Sequence, residues 1–204
     1  MSLPDFLLDG PKRGPMIALA HGAGAPMDSP FMVAFAEGLA AHGLRVARFE
    51  FPYMAGRRTG GKRPPDRQPV LLDTWRAVID HFGADKLVIG GKSMGGRMAS
   101  MVADEMNVRG LVCLGYPFCA PGKVDKPRVA HLESLKTPTL ICQGERDTMG
   151  NRDAVAGYTL SKNIRLHWLA DGDHGFKPRK ASGRTEAENW AEAIDAVADF
   201  VRAC

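Results

Sequence analysis

Six short runs of apolar and β-branched residues recur along the chain and limit the folds that it can adopt. They cover residues 15–21, 44–50, 86–90, 108–116, 137–144 and 164–170. Most are apolar at nearly every position, which is typical of strands that are covered on both faces, as in a parallel sheet. Segments with helical spacing separate these runs. The chain therefore predicts a doubly wound α/β fold with a mostly parallel sheet.

The helical segments complete this alternation. Their predicted bounds are 28–42, 70–82, 94–106, 151–160 and a C-terminal helix that follows the capping box Thr185-x-x-Glu188. Two stretches interrupt the pattern. Residues 56–69 are basic and rich in Gly and Pro, which predicts a loop, and residues 117–135 separate two strands and are expected to cover part of the site. Neither stretch is long enough for a second domain, so a single domain over residues 1–204 is predicted.

Charge and cysteine usage exclude several classes of function. The net charge is +4, which does not favour a nucleic-acid-binding protein. The four cysteines form no C-x-x-C pair, so neither a metal ribbon nor a redox dithiol is expected, and no metal or cofactor is predicted. The N-terminus shows no basic leader with an apolar segment, and no apolar run is long enough for a membrane span. We therefore expect a cytoplasmic protein with no membrane partner.

The stretch "GGKSMGG" at residues 90–96 permits two interpretations. Gly-Lys-Ser is the end of a phosphate-binding P-loop, but a P-loop also needs a glycine five residues before Gly91, and Lys86 stands there. The residues between are apolar and strand-like, so no phosphate-wrapping loop fits. Gly91-x-Ser93-x-Gly95 instead matches a nucleophile elbow, in which a strand turns sharply into a helix with serine at the tip. The strand before this stretch and the amphipathic helix after it favour the elbow.

A nucleophilic serine needs a base and a carboxylate that orients the base. In hydrolases with this elbow the three follow the order Ser, Asp or Glu, His, each after its own strand. Asp147 ends the turn after the run 137–144, and His174 lies in the turn after the run 164–170. Asp171 and Asp173 flank His174 and are alternative carboxylates, but they share its loop and are expected to shape the turn. The predicted catalytic residues are Ser93, Asp147 and His174.

Acyl-transfer chemistry also needs two backbone N–H groups that stabilise the developing oxyanion. One is expected from Met94, directly after the serine. The other is expected from the loop "HGAGAP" after the first predicted strand, with Ala23 as the prediction and Gly22 or Gly24 as alternatives. His21 is expected to order this loop by hydrogen bonding.

Seven blocks of sequence together resemble one branch of a known superfamily. They are "HGAGAPMDSPFM", "RVARFEFPYMAGRR", "RPPDR", "GGKSMGGRMAS", "LGYPFCAPGK", "PTLICQGERD" and "DGDHGFKPRKASG". The chain resembles a small α/β-hydrolase branch of bacterial hydrolases and animal testis-expressed-protein-thirty-like proteins, and is loosely similar to dienelactone hydrolases. The resemblance implies an α/β-hydrolase fold with Ser93 as nucleophile, Asp147 as acid and His174 as base. Dienelactone hydrolases use a cysteine nucleophile, and this chain has Ser93 instead.

The expected function is a serine hydrolase that cleaves a small-molecule ester or thioester through an acyl-enzyme. Only residues 116–136 are available for a lid, which predicts an open site for small or accessible acyl groups. Arg57 and Arg58 in the basic loop, with Lys92 beside the serine, are possible contacts for an anionic substrate; a solvated loop is the alternative. An acyltransferase and a catalytically silent scaffold for protein binding stay open as other functions.

Overall fold

A seven-stranded sheet carries the fold in the computed structural model, which describes residues 3–61, 63–121, 123 and 125–204. Its strands are β1 Phe6–Asp9, β2 Met16–Ala20, β3 Arg45–Phe49, β4 Leu87–Lys92, β5 Gly110–Leu114, β6 Thr139–Gly144 and β7 Ile164–Leu169. They lie in the order β1-β3-β2-β4-β5-β6-β7, and all neighbours are parallel except β1 and β3. The predicted doubly wound, mostly parallel α/β fold is confirmed.

Strand β1 is not among the six strands predicted from the sequence. It is only four residues long and lies at the sheet edge, where it pairs with β3 in antiparallel register. Leu7 and Leu8 are exposed, so the strand lacks the buried apolar character of the inner strands. Its position is reinforced by Asp9, whose carboxylate accepts hydrogen bonds from Arg48 of β3.

Helices cover both faces of the sheet. They are α1 Pro30–Ala41, α2 Pro52–Arg58, α3 Gln68–Phe82, α4 Met94–Val102, α5 Arg152–Ala156 and α6 Glu186–Ala203. Side chains alternate along each strand, so Ile17 and Leu19 of β2 pack with α1 and α6, while Ala18 and Ala20 pack with α3 and α4. Burial on both faces explains why the inner strands are apolar at successive positions.

The prediction of a loop at 56–69 is wrong at both ends. Helix α2 includes residues 56–58 and α3 begins at Gln68, and each helix has a proline in its first turn. Proline is well suited to that position because the first N–H groups of a helix have no intrahelical partner. Lys62, in the middle of the predicted loop, lies outside the described residues.

Helices α4 and α5 end several residues earlier than the sequence indicates. Helix α4 ends at Val102 rather than at residue 106, and the chain then reaches Asn107, whose φ of 51° is incompatible with a helix. Between them, the Asp104 carboxylate accepts hydrogen bonds from the N–H groups of Lys136 and Thr137. Helix α5 covers only Arg152–Ala156 and is followed by a glycine. Within the described residues, no helix combines the length and the apolarity needed to cross a bilayer.

Candidate active site

The turn between β4 and α4 has the geometry of a nucleophile elbow. Ser93 stands at its tip with φ 51° and ψ −114°, a strained conformation for a residue with a side chain. Two neighbouring glycines allow the close packing that this turn needs. A Cβ atom at Gly91 would lie 2.2 Å from the carbonyl oxygen of Ala20, and one at Gly95 would lie 2.6 Å from the same oxygen. The helix can therefore start against the end of β2 only because both positions lack a side chain.

Ser93, His174 and Asp147 form a continuous hydrogen-bonded chain. The His174 Nδ1 lies 2.7 Å from Asp147 Oδ2, and His174 Nε2 lies 2.9 Å from Ser93 Oγ. An ionised carboxylate can only accept, so Nδ1 carries the proton and Nε2 accepts from the serine hydroxyl. Asp147 is fully buried, whereas the His174 side chain is 27% exposed. The structure thus brings together all three residues that the sequence identifies as a triad, in the order that proton transfer from serine requires.

A buried glutamine holds the carboxylate of Asp147. Gln143 of β6 donates from Nε2 to Asp147 Oδ2 at 2.8 Å, and the Met149 N–H donates to Asp147 Oδ1 at 2.8 Å. Gln143 also exchanges two hydrogen bonds with the backbone of Tyr116, which lies just beyond β5. Gln143 is not among the site residues predicted from the sequence. The available signal is a polar residue within the otherwise apolar run 137–144.

The loop after β2 lies against the same site and is fixed by two aromatic side chains. The Tyr53 hydroxyl donates to the Ala23 carbonyl at 2.9 Å. His21 accepts from the Phe51 N–H through Nε2 at 3.1 Å, and its Nδ1 therefore donates to the Gly22 carbonyl at 2.6 Å. Burial lowers the pKa of His21 and favours this neutral form. The expectation that His21 orders the loop is confirmed.

The two predicted oxyanion donors belong to elements that adjoin Ser93. Ala23 lines the cavity beside Ser93, and Met94 is the first residue of α4. Neither N–H donates a hydrogen bond to another of the described residues. Both groups are thus free to bind a ligand oxygen.

A cavity of about 620 Å³ opens beside Ser93 and His174. Its walls are mainly apolar and come from the loop after β2, from α1, from α6 and from the loop before α5. The larger apolar side chains that line it are Phe31, Met32, Met149 and Trp190. Trp190 packs edge-to-face on Phe31 and donates from Nε1 to the Gly175 carbonyl at 2.9 Å. Two charged residues, Lys92 and Glu186, also line the cavity. In the described part of the chain, no group of three His, Cys, Asp or Glu side chains is placed to hold a metal ion.

The profile of the family described as "Alpha/beta hydrolase domain" matches residues 13–202, which is most of the chain. The chain belongs to the alpha/beta hydrolase family. The finer resemblance to the testis-expressed-protein-thirty-like branch stays a prediction.

One curated relative of this alpha/beta hydrolase comes from Rattus norvegicus. It is named "Putative protein-lysine deacylase ABHD14B", and it is 30% identical over 115 residues, which cover 55% of this chain and 52% of that protein. The match thus spans about half the length of the relative.

Solved alpha/beta hydrolase structures share the fold across the whole chain. A serine hydrolase without a lid from Xanthomonas campestris has a TM-score of 0.70 at 21% identity, covering 98% of this chain and 88% of its own. Est1E from Butyrivibrio proteoclasticus with bound ferulic acid has a TM-score of 0.73 at 18% identity, covering 98% and 96%. A monoacylglycerol lipase from Paleococcus ferrophilus has a TM-score of 0.70 at 17% identity, covering 98% and 100%.

The alternative carboxylates beside His174 have other partners in this alpha/beta hydrolase. Asp173 Oδ1 accepts from the N–H groups of Gly175 and Lys177, and Asp171 accepts from Arg179. Both residues stabilise the turn that presents His174, as expected.

The predicted substrate contacts in the basic segment do not line the cavity. Arg58 donates to the Glu50 carboxylate at 2.7 and 2.8 Å and also pairs with Asp28. Arg57 donates to the Arg63 carbonyl and lies over the Tyr53 ring. The neighbouring sequence suggests that these arginines have no partners. In the folded protein, however, their guanidinium groups are already bound to other protein groups.

A second serine–histidine pair occurs elsewhere in this alpha/beta hydrolase. The Ser100 Oγ lies 2.8 Å from His131 Nε2 and donates to the Arg97 carbonyl at 2.7 Å. Since the hydroxyl proton is used by that carbonyl, the histidine donates to Ser100 instead of accepting from it. Ser100 is almost fully buried, and no carboxylate of the described residues contacts His131. The pair therefore lacks the arrangement that activates a serine.

Proposed function

We propose that this protein is a serine hydrolase that acts through a covalent acyl-enzyme. The observation that carries the proposal is the hydrogen-bonded chain from Asp147 through His174 to Ser93 at the edge of an accessible cavity. The Ser93 oxygen attacks an acyl carbonyl while His174 Nε2 takes the hydroxyl proton. The imidazolium then returns that proton to the leaving group. Water, activated by the same histidine, releases the acid and restores the serine.

The surrounding groups support each step of this mechanism. Asp147, held by Gln143 and Met149, stabilises the imidazolium that forms on His174. The N–H groups of Met94 and Ala23 are proposed to bind the oxyanion of the tetrahedral intermediate. Their freedom from internal hydrogen bonds supports this role, because preorganised donors stabilise developing charge most effectively in a site that excludes water.

The cavity supports an apolar acyl group as substrate. Its walls are mainly apolar and include Phe31, Trp190 and two methionines, and burial of apolar surface is the main source of affinity for such a group. Arg57 and Arg58 lie away from this cavity and are engaged elsewhere, so we propose an uncharged acyl group rather than an anionic one. An acyltransferase would form the same acyl-enzyme and differ only in the acceptor.

Covalent labelling with a fluorophosphonate tests the proposal. The Ser93 oxygen would attack phosphorus, fluoride would leave, and the serine proton would pass to His174. We expect intact-mass spectrometry to find one adduct on the wild type and on Ser100→Ala, and none on Ser93→Ala. Ser100→Ala is the matched control, because it removes the hydroxyl of the other serine–histidine pair. Absence of an adduct on the folded wild type would refute the hydrolase proposal and favour a silent scaffold.

An acylated lysine side chain is a second candidate substrate. The rat relative is named for such chemistry, and this cavity contains Glu186, which forms no ion pair with another described residue. Amide cleavage would release an amine that takes up a proton, and a carboxylate is complementary to that cation. A screen of acyl-lysine peptides beside neutral esters tests this candidate. Because the amine gains its charge only as the amide is cleaved, Glu186→Gln should lower kcat/KM for acyl-lysine peptides and leave kcat/KM for neutral esters unchanged. Equal effects on the two substrate classes would contradict this candidate.

A further inference from the structure

The amine of Lys92 occupies a defined place between the serine strand and the histidine loop. Lys92 is the last residue of β4 and directly precedes Ser93. Its Nζ donates to the His174 carbonyl at 2.5 Å, and it lies 5.4 Å from the Phe31 ring centre and 5.8 Å from the Phe176 ring centre. One side chain thus joins the two segments that carry the serine and its base.

A glycine at the end of β5 leaves room for this contact. Gly115 has a φ of 67°, and a Cβ atom there would lie 2.7 Å from Lys92 Nζ and 2.9 Å from the His174 carbonyl oxygen. A side chain at this position would therefore press directly on the hydrogen bond. The backbone of β5 is arranged so that the lysine can pass over it to the histidine loop.

The charge of the amine is balanced only at a distance. Lys92 forms no ion pair with a described carboxylate, and Asp147 and Asp173 are the charged groups whose fields reach it. The other surfaces around the amine, Phe31 of α1 and Gly115, carry no charge. Burial lowers the pKa of Lys92 to about 8, against the opposing effect of the two aspartates.

We propose that protonated Lys92 is a positioning residue, which clamps the His174 loop to β4 and holds the imidazole in line with Ser93. The inference rests on the proposed hydrolase function for its catalytic consequence, but the clamp itself is a structural statement. Both contacts that define it depend on charge, because a charged donor strengthens the hydrogen bond to the carbonyl and only a cation is attracted to the ring faces. The clamp should therefore loosen when the amine loses its proton.

Three variants separate the clamp from general effects of lysine. Lys92→Met keeps the length of the side chain and removes the donor and charge, whereas Lys92→Arg keeps both. Lys177→Met is the matched control, because Lys177 is an exposed lysine three residues after His174. Hydrogen–deuterium exchange of the backbone around His174 measures the clamp without any catalytic turnover. We expect the amides around His174 to exchange faster in Lys92→Met but not in the other two variants. The exchange rate of the amides in α3 should be the same in all three variants.

The rate of fluorophosphonate labelling measures the catalytic consequence. We expect Lys92→Met to label about ten- to a hundredfold more slowly than the wild type, since small displacements of a catalytic group cost rates of this order. Lys177→Met should match the wild type and Lys92→Arg should recover part of the loss. Over about pH 6–10, which brackets the ordinary pKa of histidine and the pKa of Lys92, wild-type labelling should fall as the pH rises through 8, and Lys92→Arg should not show this fall.

The outcomes distinguish this inference from the hydrolase proposal. Unlabelled wild-type protein would refute the hydrolase function, and the exchange result would still decide whether the clamp exists. Labelled wild type together with unchanged exchange and labelling in Lys92→Met would overturn the clamp. Equal loss in Lys92→Met and Lys92→Arg would also overturn it, because it would reduce Lys92 to packing. If Lys92→Met does not fold, Lys92→Gln takes its place, because its shorter, uncharged side chain also removes the clamp, and exchange and labelling equal to those of the wild type would then overturn the proposal.

Discussion

At the scale of single residues, Gln143 links the site to the sheet. Its amide is fully buried and bonds to Asp147, to both backbone groups of Tyr116 and to the Gly150 carbonyl. We expect Gln143→Leu to lower the free energy of unfolding by about 1–3 kcal/mol, because the partners stay buried without hydrogen bonds. Labelling of Ser93 should also slow, about tenfold, since Asp147 loses a donor that holds its carboxylate.

Urea unfolding and fluorophosphonate labelling test this prediction together. Gln68→Leu is the matched control, because Gln68 is exposed on α3 and its replacement should change stability by less than about 0.5 kcal/mol. If Gln143→Leu had the same free energy of unfolding and the same labelling rate as the wild type, the hydrogen bonds of Gln143 would be dispensable.

The residues of the candidate triad were predictable from the sequence, but their support was not. Ser93, Asp147 and His174 each follow a recognisable strand, so the common edge of a parallel sheet brings them together. The bond between Gln143 and Tyr116, in contrast, joins positions that only the register of β5 and β6 brings into contact. Likewise, the partners of Arg58 become neighbours only through the fold. Motif spacing carries no information on such pairs.

At the scale of elements, the start of α4 depends on a missing side chain. Alanine normally stabilises a helix relative to glycine, by roughly 0.5–1 kcal/mol. At Gly95 a Cβ atom would lie 2.6 Å from the carbonyl oxygens of both Ala20 and His21, so the added methyl group must displace β2 or the helix. We expect Gly95→Ala to destabilise the protein by about 1–3 kcal/mol, the usual cost of overpacking, and to abolish labelling of Ser93.

A second glycine provides the comparison for this element. Gly157 after α5 has a helical φ of −84°, and a Cβ there would find only one atom, at 3.5 Å. Gly157→Ala should therefore leave the unfolding midpoint and the labelling unchanged. Equal stability of the two variants in thermal unfolding would disprove the close approach of α4 and β2.

Strands and helices were predicted well where burial requires a recognisable pattern of apolar residues. They were predicted poorly where no such pattern is required. The five inner strands are buried on both faces and are therefore visible as apolar runs. The edge strand β1 and the short helix α2 have no such pattern. In α2 the glycine at position 56 suggests a turn, but it lies inside the helix, where the groups within reach of a Cβ atom belong to the flexible Arg63 side chain.

At the scale of the whole molecule, the fully buried His21 and the partly buried His131 make stability depend on pH. Burial lowers the pKa of His21 and of His131 below the ordinary value of 6.5. Below that value the unfolded chain binds more protons than the folded protein, so the free energy of unfolding falls as the pH falls. Above 6.5 both side chains are neutral in either state and this contribution vanishes. Each histidine can account for at most about 1.4 kcal/mol per pH unit.

The histidine contribution can be isolated by urea unfolding between about pH 7 and pH 5, above the range in which carboxylates titrate. We expect stability to fall toward the acidic end, because protonated His21 can no longer accept the Phe51 N–H. His131→Gln should flatten this dependence, since it removes one of the two groups. A slope that is the same in wild type and His131→Gln would mean that His131 titrates alike in the folded and unfolded states.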